Sequence, residues 1–148
     1  MGDELALDQQ VCFPLYAASR AMTAVYRPLL EGLGLTYPQY LVMLVLWERD
    51  GRSVGELCQE LALDTGTVSP LLKRLAASGL VERVRSTADE RRVEIRLTDR
   101  GRALRARACD IPRELADATG MSLDELAALR TTLRRLTRAL TSADSPKE

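Results

Sequence analysis

Three cysteines and no histidine delimit the side-chain chemistry open to this chain of 148 residues. Without imidazole there is no Ser-His-Asp or Cys-His catalysis and no His-ligated metal site. Gly32-Leu-Gly34 has neither the spacing nor the following Lys of a phosphate-binding loop. The expectation is therefore a protein with no cofactor and no conventional enzyme activity. What remains is thiol chemistry and charge. Cys12 stands at or just before the start of a run, Phe13 to about Leu30, in which Leu15, Ala18, Met22, Val25 and Leu29 recur at helical spacing. Free amides and the macrodipole at a helix N-terminus favour the thiolate, which is the nucleophilic form. The same position also suits a small apolar residue that docks the helix start, and position alone leaves both readings open. Cys58, beside Leu57 on a core face, reads as packing. Irregular spacing makes no disulfide framework, so thiols are expected in a reducing compartment.

A second chemical group lies between residues 64 and 91. Val68, Leu71, Leu72 and Leu75 define the inner face of a helix, which leaves Ser69, Pro70, Lys73 and Arg74 outside and Thr65 and Thr67 at its entrance. Short hydroxyl groups and two cations suit phosphates, thymine methyls and a few base edges of duplex DNA. No Asn or Gln stands there to grip adenine. Sequence preference is then expected from half-site spacing, duplex shape and the loop Thr87-Ala-Asp-Glu-Arg91, where Arg91 enters a narrow A·T-rich minor groove and Asp89 orients its guanidinium. The competing reading of Asp89 and Arg91 is an exposed ion pair of little worth.

The positioning elements follow from caps and periodicity. Thr36 caps a helix with Pro38 in its first turn, and Leu41-Val-Met-Leu-Val-Leu-Trp47 is apolar nearly all round, so that helix must be central. Ser53-Val-Gly-Glu56 is a capping-box signature for a short helix that buries Leu57 and Leu61. After the polar break Asp64-Thr-Gly-Thr67 the second helix runs to about Ser78, with Gly79 as its left-handed C′ residue. A basic strand near Val81 to Ser86 and the alternating Val93, Ile95 and Leu97 then form a hairpin. The outline is mainly α with a small β-wing: a winged helix-turn-helix over about 36–98. Thr98 caps a helix that includes Leu104 and Ile111, with Pro112 kinking or ending it. Ser122-Leu-Asp-Glu125 opens a last helix whose Leu126, Leu129, Leu133, Leu136 and Leu140 form a two-heptad seam, with Arg130, Arg134, Arg135 and Arg138 outside it.

One domain, 1–148, is the simplest division, with dimerisation helices at about 10–34 and 99–142 forming the interface of an obligate homodimer. Net charge is zero, yet residues 64–102 carry 9 basic and 6 acidic side chains, which places a positive excess on the segment assigned to DNA. The first ten residues are polar, acidic and expected to be poorly ordered. No run spans a membrane and Met-Gly-Asp-Glu does not open a signal peptide, so the expected location is the cytosol.

Val11-Cys-Phe-Pro-Leu-Tyr-Ala-Ala-Ser-Arg-Ala-Met22 with Leu35-Thr-Tyr-Pro-Gln-Tyr40, and Asp64-Thr-Gly-Thr-Val-Ser-Pro-Leu-Leu-Lys-Arg-Leu75 with Asp89-Glu-Arg-Arg92, resemble the organic-hydroperoxide-sensing repressors of the MarR family. The likeness covers roughly Gln10 to Gly120. It implies a dimeric repressor whose Cys12 thiolate is oxidised by an organic hydroperoxide to a sulfenic acid and so releases a pseudo-palindromic operator. By the same matching, Tyr26 and Tyr37 hold the thiolate through their hydroxyls and Tyr16 lines the site or takes part in its oxidised rearrangement. Cys12 and Tyr26, 14 residues apart, are separated by about 21 Å on a continuous helix, so they meet only if the first helices of two subunits cross antiparallel. Pro14 departs from the ordinary helix former expected there. Asp117 stands where the two-cysteine branch has a resolving cysteine, which implies capture of the sulfenic acid by a small external thiol and a structural role for Cys109. Phe13, Leu15 and Met22 favour an alkyl hydroperoxide over hydrogen peroxide. Two other functions fit the residues: a MarR-type regulator released by a reversibly bound aromatic acid, and a one-cysteine thiol peroxidase.

Overall fold

Side-chain caps decide where most of the helices begin. The computed structural model describes residues 2–143; Met1 and residues 144–148 of the domain expected from the sequence lie outside that range. Helix α1 (Cys12–Glu31) starts after Val11, which makes no side-chain cap. Pro14 falls in its first turn, where the missing N–H would have had no helical acceptor, so the helix runs through it. Ahead of it Leu7–Gln9 makes one 3-10 turn, more order than the acidic N-terminus led one to expect. Helix α2 (Tyr37–Glu48) has a complete capping box. Thr36 Oγ1 accepts the Gln39 N–H at 3.4 Å and Gln39 Oε1 accepts the Thr36 N–H at 3.0 Å. Val42, Met43 and Leu46 of α2 are essentially inaccessible, as its apolar circumference required.

Strand β1 (Arg52–Ser53) corrects the expected two-stranded hairpin. The sheet has three antiparallel strands in the order β1, β3 (Val93–Leu97), β2 (Val81–Arg85). Two residues carry no detectable period, and their pairing of Arg52 with Ile95 and Ser53 with Glu94 arises only in three dimensions. In the main ladder Val81 faces Leu97, Arg83 faces Ile95 and Arg85 faces Val93. Val81, Ile95 and Leu97 enter the core, whereas Val93, at the distal end, is exposed.

Helix α3 (Val54–Leu61) is capped by Ser53, whose Oγ accepts the Glu56 N–H at 3.1 Å. The other half of the expected capping box is missing, because the Glu56 carboxylate is drawn to Arg92. Leu57 is buried and Leu61 only half-buried. Ala62 then takes a left-handed conformation, φ 52°, and lets the Leu63 N–H return to the Cys58 carbonyl at 3.1 Å. Helix α4 (Thr65–Ala77) is capped by Asp64 and closed by Gly79 at φ 74°.

Helix α5 (Asp99–Ala108) begins at Thr98, whose Oγ1 accepts the Gly101 N–H at 3.1 Å. It stops at Ala108, and Ile111 opens a new helix, α6 (Ile111–Thr119). Ile111 therefore does not belong to α5. Pro112 starts the following helix instead of kinking the preceding one, because a first-turn proline is already shaped for it. A Cβ on Gly101 would lie 2.1 Å from the Leu80 carbonyl oxygen, so only glycine lets α5 cross the junction between α4 and β2.

The chain divides into two compact units, Met1–Ile111 and Pro112–Glu148. The core of the first gathers Leu30, Met43, Leu46, Leu57, Leu72, Leu75 and Ile95, each with under 2 % of its surface accessible. In the second, α7 (Leu123–Ala143) opens with a full capping box, Ser122 N–H to Glu125 Oε2 at 3.0 Å and Glu125 N–H to Ser122 Oγ at 3.1 Å. Along its seam Leu126, Leu133 and Leu136 are half-buried while Leu129 and Leu140 are exposed. Among the described residues no helix is long and apolar enough to cross a membrane.

Candidate DNA interface and thiol site

Asp64 sets the start of α4 by accepting the Thr67 N–H at 2.8 Å. The helix buries Val68, Leu71, Leu72 and Leu75, the four residues expected on its inner face. Thr65, Thr67, Pro70, Lys73 and Arg74 are exposed. Ser69 is half-buried, so it is less available than its helical position suggested. The outer surface of α4 thus offers two hydroxyls near the N-terminus and two cations about two turns along, a pattern suited to phosphates and base edges.

The wing is the loop between β2 and β3. Its neck closes through the Ser86 N–H, which donates to the Arg92 carbonyl at 2.8 Å, and the Arg92 N–H, which donates to the Asp89 carbonyl at 3.0 Å. Asp89 Oδ1 accepts the backbone N–H of Arg91 at 3.0 Å. Asp89 therefore shapes the turn and does not hold the Arg91 guanidinium, a correction that follows from the short reach of an Asp side chain to its own backbone two residues on. The Arg91 side chain is exposed and has no ion-pair partner among the described residues.

Sequence reasoning missed what holds this wing. Glu56 of α3 pairs through Oε1 with Arg92 Nη2, and its Oε2 lies 3.6 Å from Arg49 Nη2, a charge contact with no hydrogen bond. Glu94, only 14 % exposed at its side chain, takes Arg96 in a two-pronged contact of 3.2 and 2.9 Å and has Arg92 Nε at 3.8 Å. Glu56 and Arg92 stand 36 residues apart, so no local pattern announces the pair.

Cys12 is the first residue of α1 and is exposed as a free thiol. Tyr16, one turn on, is 61 % exposed, with the Arg20 guanidinium 5.6 Å from its ring centroid. Towards the other end of α1, Tyr26 stacks on Tyr37 with ring centroids 4.8 Å apart and on Tyr40 at 5.8 Å. The fold therefore brings Tyr26 and Tyr37 together and leaves Cys12 and Tyr16 about 14 and 10 residues of helix away, roughly 21 and 15 Å. Tyr40 is the residue that sequence reasoning left out; its spacing of three from Tyr37 on α2 was the available signal. Burial, and then the neighbouring phenols of Tyr37 and Tyr40, pushes Tyr26 up to about 12, and burial raises Tyr37 and Tyr40 as well. These phenols are protonated hydrogen-bond donors at neutral pH. Cys58 is half-buried with its Sγ 3.8 Å from Thr65 Oγ1. Cys109 is exposed, its thiol donating to the Arg105 carbonyl at 3.3 Å, and so does not serve as core packing.

Residues 24–107 match the family model for the transcriptional regulator SarA/Rot. The chain is 54 % identical over 127 residues to the HTH-type transcriptional regulator TtmR of Methylorubrum extorquens, covering 86 % of this chain and 65 % of that relative's length. It is 44 % identical to the organic hydroperoxide resistance transcriptional regulator of Bacillus subtilis, over 93 % of this chain and 94 % of the relative. Among solved structures, reduced AbfR bound to DNA superimposes with a TM-score of 0.74 at 33 % identity, covering 90 % of this chain and 93 % of the other. AbfR is a protein of Staphylococcus epidermidis that has also been solved overoxidised on DNA and in a disulfide-formed state. With the helix-turn-helix and its wing in place, the family model matched over residues 24–107 and these relatives matched along most of the chain, the chain belongs to the SarA/Rot family of transcriptional regulators.

Proposed function

We propose that this regulator is a dimeric repressor whose Cys12 is oxidised by an organic hydroperoxide, after which it leaves its operator. The observation that carries the reading is the placement of Cys12 as the exposed first residue of a 20-residue helix that has the Tyr26 and Tyr37 donors near its far end. Two copies of α1 crossing antiparallel bring Cys12 to the partner's Tyr26 and the partner's Tyr37, so the sensor is complete only in the dimer. Phe13, Leu15 and Val25, apolar and exposed along α1, are the surface such a crossing buries. The hydroperoxide resistance regulator of Bacillus subtilis and the oxidised states of AbfR support a redox role.

In the chemical step the Cys12 thiolate attacks the terminal oxygen of the hydroperoxide. The S–O bond forms as the O–O bond breaks, sulfur is oxidised by two electrons, and the alkoxide leaves and takes up a proton as the alcohol. A small external thiol then displaces water from the sulfenic acid to give a mixed disulfide. Asp117, at the position of the two-cysteine branch's resolving cysteine, supplies no internal thiol. On DNA, Thr65, Thr67, Ser69, Lys73 and Arg74 face the major groove and Arg91 the minor groove of each half-site, with Asp89 shaping the turn that presents it.

The test is operator binding of the reduced protein before and after cumene hydroperoxide, with mass spectrometry locating the added oxygen. Cys12→Ser should bind DNA as before and no longer respond; a variant that still releases DNA on oxidation overturns the reading. A second reading, release by a reversibly bound aromatic acid, draws on a cleft of about 340 Å³ lined by Arg27, Leu30, Leu35 and Tyr37 among others. Release of the Cys12→Ser protein by benzoate, with no effect of peroxide on the wild type, would select it.

A further inference from the structure

The Glu56–Arg92 pair joins the wing to the helix-turn-helix, and we infer that Glu56 is a positioning residue for DNA binding that acts through Arg92. The inference rests on the assignment of α4 and the wing to DNA. Arg92 is the pivot of the wing neck by its backbone alone: its carbonyl accepts the Ser86 N–H and its N–H reaches the Asp89 carbonyl, closing the loop that presents Arg91. Its side chain leaves that neck and ends on Glu56 of α3. Arg91 and Arg92 are therefore adjacent cations with opposite duties, the first exposed at the tip and the second tied inward. Glu56 is itself held from two sides, by the Ser53 cap on its N–H and by Arg49 at 3.6 Å from Oε2. Glu94, between Arg92 and Arg96, keeps the Arg92 guanidinium from swinging away along the strand. The result is a brace from α3 and from Arg49, the residue that follows α2, to the wing, built of charges that no backbone ladder supplies.

A carboxylate near a DNA-binding face normally weakens binding, because it repels phosphate. Removing it by Glu56→Gln should then tighten the complex if Glu56 is a bystander. The brace predicts the opposite sign: Glu56→Gln weakens operator binding about fivefold, the size of a well-formed surface pair, with the loss concentrated on A·T-rich flanks read by the wing. Arg92→Gln should weaken it similarly, and the double variant should be no weaker than either single one. Thermal unfolding, followed by circular dichroism, should be nearly unchanged, while hydrogen exchange at the Ser86 and Arg92 amides speeds up. Tighter or unchanged binding by Glu56→Gln, or additive losses with a salt slope reduced by about one for Arg92→Gln, overturns the inference. Arg91→Ala is the control on the underlying assignment. If it loses affinity on A·T-rich flanks while Glu56→Gln does not, the brace fails and the interface stands; if Arg91→Ala binds as the wild type on all flanks, the interface assignment itself fails.

Discussion

Tyr26 carries a stability signature at the same phenol that is proposed to serve the sensor. Its phenol is pushed from the ordinary 10.0 to about 12, first by burial and then by Tyr37 and Tyr40. Between those values the unfolded chain has released the proton and the folded chain has not, so unfolding gives up a proton and stability falls as pH rises through that window. Below the lower value the contribution is whole. Tyr26→Phe should flatten the decline measured by urea denaturation between about pH 10 and 12, without abolishing it, since Tyr37 and Tyr40 are raised too. The same variant keeps the stack and removes the donor proposed for the Cys12 thiolate. The tyrosines were legible in the sequence as residues of a resembling motif, whereas Tyr40's place in the stack was not. Stacking depends on how α1 lies against α2, which a string of residues does not state.

At the scale of elements, local chemistry did most of the work. The caps at Thr36, Ser53, Thr98 and Ser122 all hold, because an N-cap needs only its own side chain and an amide two or three residues on. An element defined by a distant partner was missed: β1 exists because β3 lies beside it. Gly101 belongs to this class. In the sequence it is an unremarked glycine in the first turn of α5, and in the fold it is the point where α5 passes the Leu80 carbonyl. Gly101→Ala should destabilise the protein by about 1–3 kcal/mol, the usual cost of forcing atoms into filled space, read as a lower midpoint in urea or heat. A variant as stable as the parent would mean that α5 shifts freely at this crossing. Trp47, whose indole N–H donates to the Gly101 carbonyl at 2.9 Å, should report such a shift in its fluorescence.

The whole molecule is proposed to work as a pair. The leucine seam of α7 leaves Leu129 and Leu140 exposed, and α1 leaves Phe13, Leu15 and Tyr16 so, apolar side chains that a second copy could cover. Replacing Leu129 and Leu133 together by Glu should shift light scattering from a dimer towards the 16.4 kDa monomer and lower operator affinity at least tenfold, since two half-sites must then be filled independently. A wild-type chain that is monomeric at micromolar concentration would remove both the two-subunit sensor and this expectation.

Residue types and spacing by themselves determined the absence of histidine chemistry, the helix starts, the apolar inner face of α4 and the alternation of β3, because each is settled by atoms a few residues apart. They also singled out Cys12, through its position before a helix and the motif around it. Only the tertiary structure decided that Asp89 serves the Arg91 backbone, that the Glu56 carboxylate pairs with Arg92 and not with the Ser53 N–H, that Tyr40 joins Tyr26 and Tyr37, and that Gly101 must be glycine. Most of these depend on contacts between groups brought together from separate parts of the chain. Even for Asp89 the competing acceptor and donor lay within two residues, and geometry chose between a backbone amide and a guanidinium where composition allowed both.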